Sequence, residues 1–415
     1  MASFKFLHAA DLHLGSPFVG LSLKDAEIAA RFAAASRQAF TAMVTRAIEA
    51  DIAFAIIAGD VYDGEWRDTS IGLFFNREVS RFIRAGIPVF LIRGNHDAES
   101  VVTKSLTLPE GVYGFSTRKA ETRRLPELRV ALHGQSFPDR AVAENLATAY
   151  PDPVPGWFNI GILHTSLDGR PGHATYAPCT LQDLALRTYD YWALGHVHQH
   201  EIVARDPWVV FPGNLQGRSV RETGEKGAML VEVEDGRVAS AERLIVDRAR
   251  WADLALDVSE IVDEAGLITA VQERLRPLAD ELEDRLGALR LRLTGASELH
   301  NRLVAEHERI AAEVQAVCHH GHADIWLERL VVSTQPPAAV HGPTDDPALA
   351  SVDVAALLAA ASAEPDIRAE LDALLAQIGA KLPAGVTIGG EEAPDVADLL
   401  GEARDLVLAH SGGAI

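Results

Sequence analysis

The chain has 415 residues, 48% of them hydrophobic and 23% charged, with two cysteines and a net charge of −21. This composition excludes a disulfide framework and an evenly basic nucleic-acid-binding surface, and it supplies enough chain for one large domain and one or two smaller ones. Lys5, His8 and Asp11 come too early for a signal-peptide core, and no apolar run is long enough to span a bilayer, so a cytoplasmic protein with no membrane partner is expected.

Up to about residue 250 short apolar runs alternate with polar or glycine-containing turns. The runs are Phe4–Ala9, Ile52–Ala58, Pro88–Ile92, Arg129–His133, Phe158–Leu163, Tyr191–Leu194 and Trp208–Phe211, each read as a strand. Between the early ones, Asp25–Ala50 and Thr69–Ala85 carry apolar residues at helical spacing. Ala228–Val233, the Asp235-Gly236 turn and Arg237–Val246 read as a closing hairpin. Alternating strands and helices imply an α/β core.

Past Trp251 the pattern changes. Ile261–Leu278 and Leu299–Val317 read as helices and Leu289–Leu293 and Ile325–Val332 as strands, a small α+β unit. Proline and glycine mark a linker at 336–349, followed by Ala- and Leu-rich acidic helices at Val352–Lys381 and Pro394–His410. The expected domains are therefore 1–250, 251–335 and a C-terminal helical region at 350–415. Charge divides the same way: residues 1–250 hold 27 Lys and Arg against 30 Asp and Glu, a balance of −3, whereas the remainder holds 11 against 29, a balance of −18. The acidity thus belongs to the C-terminal part, where extended contact with DNA is not expected.

Chemistry-bearing residues collect where the strands end: Asp11-Leu-His13, Gly59-Asp60-Val-Tyr-Asp63, Gly94-Asn95-His96-Asp97, His164 and Gly195-His196-Val-His198. A rigid sheet fixes the direction of such loop residues, so five loops can converge on one site. Carboxylates, imidazoles and one amide oxygen, without thiolates, suit Mn²⁺, Fe²⁺ or Zn²⁺ in an open site. Seven donors, Asp11, His13, Asp60, Asn95, His164, His196 and His198, exceed what one ion needs and suffice for two that share a carboxylate. Two such ions roughly 3.5–4 Å apart activate water and clamp an in-line attack on phosphorus. His96 is read as a catalytic group above the ions, able to protonate the leaving oxygen, with Asp97 orienting it.

The ordered set D-x-H, G-D-x-x-D, G-N-H-D, H and G-H-x-H resembles the signature of calcineurin-like metallophosphoesterases. His8-Ala-Ala-Asp-Leu-His-Leu-Gly and Gly59-Asp-Val-Tyr-Asp resemble the SbcD-type repair exonucleases, and Ser16-Pro-Phe-Val-Gly-Leu and Phe211-Pro-Gly-Asn-Leu-Gln-Gly-Arg their YhaO-like branch. The resemblance implies a four-layer α/β/β/α sandwich with an α+β capping domain. It implies that Asp11, His13, Asp60 and His198 hold one metal and Asp60, Asn95, His164 and His196 the other, with Asp60 the bridge, Mn²⁺ the ion and His96 the catalytic histidine. Asp63 receives a supporting role. It further implies 3′→5′ exonuclease action on duplex DNA, endonuclease action on single strands, docking of the C-terminal helices on an SbcC-like ATPase, and a homodimer through the first two helices. Two other readings compete: a phosphatase or phosphodiesterase acting on small phosphoesters or cyclic nucleotides, and a metal-bearing scaffold for the ATPase.

The remaining histidines and cations are read more plainly. His8 and His133 lie within strands and are expected to be satisfied core groups or supports of the metal ligands, and His200 either supports the ligands or sits in an exposed loop. Cys318-His-His-Gly-His322 crowds its donors into five residues with no distant partner pair, which argues against a zinc site. Arg218, Arg221 and Lys226 are either contacts for DNA phosphate or ordinary surface charge.

Overall fold

The computed structural model describes residues 3–16, 26–63, 69–99, 107–169, 176–322, 324–337, 357–358, 360–361, 364–381 and 396–411. Most of the expected linker at 336–349, the motif residues following Ser16 and the start of the acidic tail at 350–356 lie outside them. The chain divides into two compact units, Met1–Trp251 and Ala252–Ile415.

In the first unit β1 (Phe4–Ala9), β2 (Phe54–Ala58), β3 (Val89–Ile92), β4 (Val112–Gly114), β11 (Gly227–Glu234) and β12 (Arg237–Ile245) form a sheet of order β12-β11-β1-β2-β3-β4. A second sheet has the order β5-β6-β7-β8-β10-β9, built from β5 (Glu121–Leu125), β6 (Val130–Gly134), β7 (Phe158–His164), β8 (Tyr191–Gly195), β9 (Glu201–Arg205) and β10 (Trp208–Phe211). β1 to β4 run parallel, as do β6, β7, β8 and β10.

The two-residue period of a strand sorts side chains between layers. Phe4, Phe6, Phe54, Ile56, Phe90 and Ile92 enter the core shared with Val130, Leu132, Phe158, Ile160, Tyr191 and Val210 of the second sheet. Leu7, Ala9, Ala55, Ile57, Val89 and Leu91 point the other way, onto α1 (Ala26–Glu49) and α2 (Thr69–Arg84). Aromatic contacts lock the sheets together: Phe6, stacked on Phe54 of its own sheet at 5.2 Å, meets Tyr191 edge-on at 5.2 Å, and Phe4 meets Phe158 at 5.9 Å. On the far side of the second sheet, Leu163, Trp192, Leu194, Val209 and Phe211 pack against Ala147, Tyr150 and Leu184, residues of the short helical segments there. The result is an α/β/β/α sandwich.

A three-stranded sheet ordered β13-β14-β15 consists of β13 (Ala249–Asp257), which begins in the first unit and runs into the second, and β14 (Leu286–Ala296) and β15 (Ile325–Gln335) of the second. β14 and β15 are parallel, and the crossover between them carries His300–Ala305 and His307–Gly321. Glu264–Leu282 joins that crossover over a leucine-rich core. The expected helix at 299–317 is thus two helices, divided at Glu306, whose φ of −108° and ψ of 28° leave the helical region. Within the acidic tail, helices occupy Pro365–Gly379 and Val396–Ser411, the first opening on a proline that suits a helix start.

Candidate metal centre

Every residue singled out for metal chemistry follows a parallel strand: Asp11 and His13 after β1, Asp60 after β2, Asn95 and His96 after β3, His164 at the end of β7, and His196 and His198 after β8. The two sheets approach closely at this end because glycine stands where they meet. A Cβ on Gly195 would lie 2.1 Å from the Ala58 carbonyl oxygen, and one on Gly94 would lie 2.8 Å from His164 Nε2. Asp11, His13, Asp60 and His196 adopt positive φ values of 52°, 41°, 53° and 100°. Each costs on the order of 1–3 kcal/mol, and four together at one place mark backbone held for its chemistry by the surrounding sheets.

The donors converge. Ligating atoms of Asp11, His13 and His198 lie within 4.8 Å of one another, as do those of Asp11, Asp60 and His164, and of His13, Asp60 and His96. Asp60 thus faces both sides, with Oδ2 at 3.4 Å from His164 Nε2 and 3.9 Å from His13 Nε2. Asn95 Oδ1 lies 3.0 Å from His164 Nε2. The His196 ring lies 5.3 Å from that of His164, and its backbone N–H donates to both oxygens of Asp11 at 3.0 Å. Six of the expected donors, Asp11, His13, Asp60, Asn95, His164 and His198, therefore gather at one spot, and the ring of His196 stands beside that of His164.

Tautomers decide what that spot attracts. His164 Nδ1–H donates to the Ala58 carbonyl at 2.9 Å, which turns Nε2 toward the oxygens of Asn95 and Asp60. His198 Nδ1–H donates to Glu222 at 2.6 Å, which turns its Nε2 toward His13 Nε2 at 3.1 Å. Where His164 Nε2 meets the oxygens of Asp60 and Asn95, a proton or a cation must lie between them. The titration behaviour agrees. Burial and the charge of Asp60 raise Asp11 to about 7, and although burial opposes it, Asp60 and Asp11 raise the His164 imidazole to about 9. Burial would also raise Asp60, but the His164 imidazole outweighs it and holds that carboxyl below its usual range. A cluster that holds a proton this firmly is one for which a divalent cation competes, and the donor set fits a pair of such ions.

His96 lies at the edge of this cluster, its ring nitrogen within 4.8 Å of the ligating atoms of His13 and Asp60. Its backbone N–H donates to Asp60 Oδ1 at 2.9 Å, its ring meets that of His13 at 4.9 Å, and about a third of its side chain remains accessible. The partner expected for it was Asp97, and here the structure differs. Asp97 lies in the first turn of the short helix Asn95–Glu99 and turns back to accept from the backbone N–H groups of Gly94, Val61 and Tyr62, fastening the loop after β2 to the loop after β3. Asp63 takes the expected place instead, with Oδ1 accepting from His96 Nδ1 at 2.9 Å. Burial opposes ionisation of Asp63, but the bonds from His96 and Ser16 and the charge of Arg218 hold it down at about 2. Burial likewise works against the His96 cation, yet Asp63 and Asp60 raise its pKa above the ordinary value.

His8 is buried between Tyr191 Oη at 3.0 Å and the Leu194 carbonyl at 3.1 Å, and His133 between Thr122 and Asn159. Lys226 is not a phosphate contact: it is buried and donates to the His198 carbonyl at 3.1 Å. Arg218 is engaged by Glu222. In the second unit Cys318 is buried in the core and His322 Nε2–H donates to the Glu283 carbonyl, so these residues serve packing and a turn. Glu222 was not foreseen, for it lies in a charged loop without periodicity, 24 residues from its partner His198.

Comparison with known proteins agrees with this architecture. The calcineurin-like phosphoesterase family matches residues 4–200, and the middle domain of metallophosphoesterase YhaO matches residues 251–335. A metallophosphoesterase YhaO of Bacillus subtilis (strain 168) is 35% identical over 282 residues, covering 67% of this chain and 69% of its own. The chain is a YhaO-like metallophosphoesterase of the calcineurin-like superfamily. This YhaO-like chain is distantly related to proteins named for double-strand break repair. A DNA double-strand break repair protein Mre11 of Sulfurisphaera tokodaii is 21% identical, covering 75% of this chain and 78% of its own. One of Methanopyrus kandleri is 23% identical over 59% and 58%. Among the described residues, no helix is long and apolar enough to cross a membrane.

Proposed function

We propose that this metal-dependent phosphoesterase is a DNA nuclease that hydrolyses phosphodiester bonds, 3′→5′ on duplex ends and endonucleolytically on single strands. The observation carrying this reading is the double cluster around Asp60 with His96 at its accessible edge. The distant Mre11 relatives, named for double-strand break repair, support DNA as the substrate.

Asp11, His13, Asp60 and His198 hold one ion and Asp60, Asn95, His164 and His196 the other, with Mn²⁺ the proposed metal. The ions supply Lewis acidity toward the phosphate and an activated water nucleophile. The chain's own residues do the rest. Asp60 spaces the two donor sets, and the Ala58 carbonyl and Glu222 each fix an imidazole so that Nε2 faces inward. His96 Nε2, with Asp63 supporting the charge of the ring, donates a proton to the leaving 3′ or 5′ oxygen. A cytoplasmic homodimer working with an SbcC-like ATPase completes the proposal.

Purified protein loaded with Mn²⁺ is expected to degrade end-labelled duplex DNA, and His96→Ala to slow this by roughly 10²–10⁴-fold while Mn²⁺ stoichiometry stays at two. Intact DNA after prolonged incubation, alongside rapid turnover of small phosphomonoesters, would replace the nuclease with a phosphatase.

A further inference from the structure

One buried charge near the site belongs neither to the donors nor to the His96 pair. Glu222, in the loop between β10 and β11, has a side chain 11% exposed and accepts from His198 Nδ1 at 2.6 Å. The same carboxylate accepts from Asn214 Nδ2 at 2.8 Å, and from the backbone N–H and Nη2 of Arg218, both at 2.8 Å. Arg218 Nη2 also stands 3.2 Å from His198 Nδ1, and since a guanidinium can only donate, it is the carboxylate that accepts the imidazole proton. On its other side, Arg218 Nη1 lies 3.9 Å from Asp63 Oδ2, the carboxylate whose Oδ1 holds His96. The loop grips the backbone of His198 as well: its carbonyl accepts from the Asn214 N–H at 3.2 Å and from Lys226 Nζ at 3.1 Å.

We infer that Glu222 and Arg218 are a positioning pair for the metal centre. Glu222 fixes the tautomer and direction of His198, and Arg218 ties that imidazole to the Asp63 carboxylate that holds His96. The inference rests on the metal-centre reading and not on which phosphoester is cleaved. Its physical basis is ring freedom. An imidazole on a loop rotates about two bonds and presents either nitrogen, whereas a buried carboxylate at 2.6 Å leaves one tautomer and one heading. Ligand and proton donor then move as one body, because a single guanidinium contacts both carboxylates.

The test is Mn²⁺ uptake by the full-length protein after EDTA dialysis, followed by titration calorimetry and electron paramagnetic resonance. Wild-type protein is expected to bind two equivalents. Glu222→Gln, which loses the charge, and Glu222→Asp, which keeps the charge but withdraws it from the ring, are expected to weaken one binding step by about 10–100-fold and leave the other within about threefold. Should Glu222→Gln fail to fold, Glu222→Asp carries the same test, because Arg218 retains its counter-ion. Two-bond ¹H–¹⁵N correlations of the histidines in metal-free protein give an independent reading, in which His198 leaves the Nδ1–H form in both variants. With a small phosphodiester at saturating Mn²⁺, Arg218→Lys is expected to lower kcat at nearly unchanged KM. Folded Glu222 variants that bind both ions as wild type does, with His198 still in the Nδ1–H form, overturn the inference. Absence of Mn²⁺ uptake by wild-type protein overturns it together with the metal centre, whereas intact DNA beside normal uptake overturns only the nuclease reading.

Discussion

At the scale of single residues, the donors were legible because each is a short motif following an apolar run, whereas their supports were not. Asp97 follows His96 directly in sequence and so looked like its partner. Helical geometry sends consecutive side chains in different directions, and Asp97 caps backbone N–H groups while Asp63, across the loop, meets the ring. A pH prediction follows from this exchange. Donation by His96 needs its protonated form, which is full below the pKa and lost as pH rises through it. Asp63 and Asp60 raise that pKa against burial, so proton donation persists to higher pH than for an ordinary imidazole. Asp63→Asn is expected to move the alkaline limb of kcat to lower pH and lower its plateau by about 10–100-fold. The limb is read with a small phosphodiester at fixed Mn²⁺ saturation, and an unmoved limb assigns the orienting role elsewhere.

At the scale of elements, strands buried on both faces announced themselves as unbroken apolar runs. Phe54–Ala58 and Phe158–His164 are buried throughout, and both fall where the sequence placed a strand. Those that escaped notice border solvent. Glu121–Leu125 and Glu201–Arg205 are sheet edges paired on one side only, rich in charge and partly exposed, and such strands resemble loops in sequence. The order in which strands neighbour one another, and so the meeting of β2 with the end of β8, has no local signature. Gly195 shows the cost of that meeting, since a side chain there would collide with the Ala58 carbonyl and lie 2.9 Å from His164 Nδ1. Gly195→Ala is expected to destabilise the first unit by about 1–3 kcal/mol and to push the two donor sets apart, weakening Mn²⁺ uptake. Urea denaturation and metal titration of the same variant check both effects, and an unchanged midpoint with unchanged uptake refutes the close-approach argument.

At the scale of the molecule, the two units differ in what a cation can do for them. Residues 1–250 gather Asp11, Asp60 and Asp97 in a buried setting, at a conformational cost visible in four positive φ values, although their overall charge is nearly balanced. Residues beyond 250 carry most of the net charge, and several charged side chains described there pair near the surface, as Arg309 does with Glu264 and Glu306. A ligand that binds only the folded state stabilises it by RT ln(1 + [L]/Kd), about 2.7 kcal/mol at a hundredfold excess over Kd. Openings that expose the donors must release the ion first, so their amide exchange is expected to slow by about 100-fold under that condition. Peptides covering β1, β2, β7 and β8 should show this slowing in hydrogen exchange followed by mass spectrometry, while peptides covering β14 and β15 should not. Asp60→Asn is expected to abolish the difference, because it removes the carboxylate that faces both donor sets. Equal slowing of both groups of peptides would mean that the ion stabilises the chain by a route other than the cluster at the strand ends.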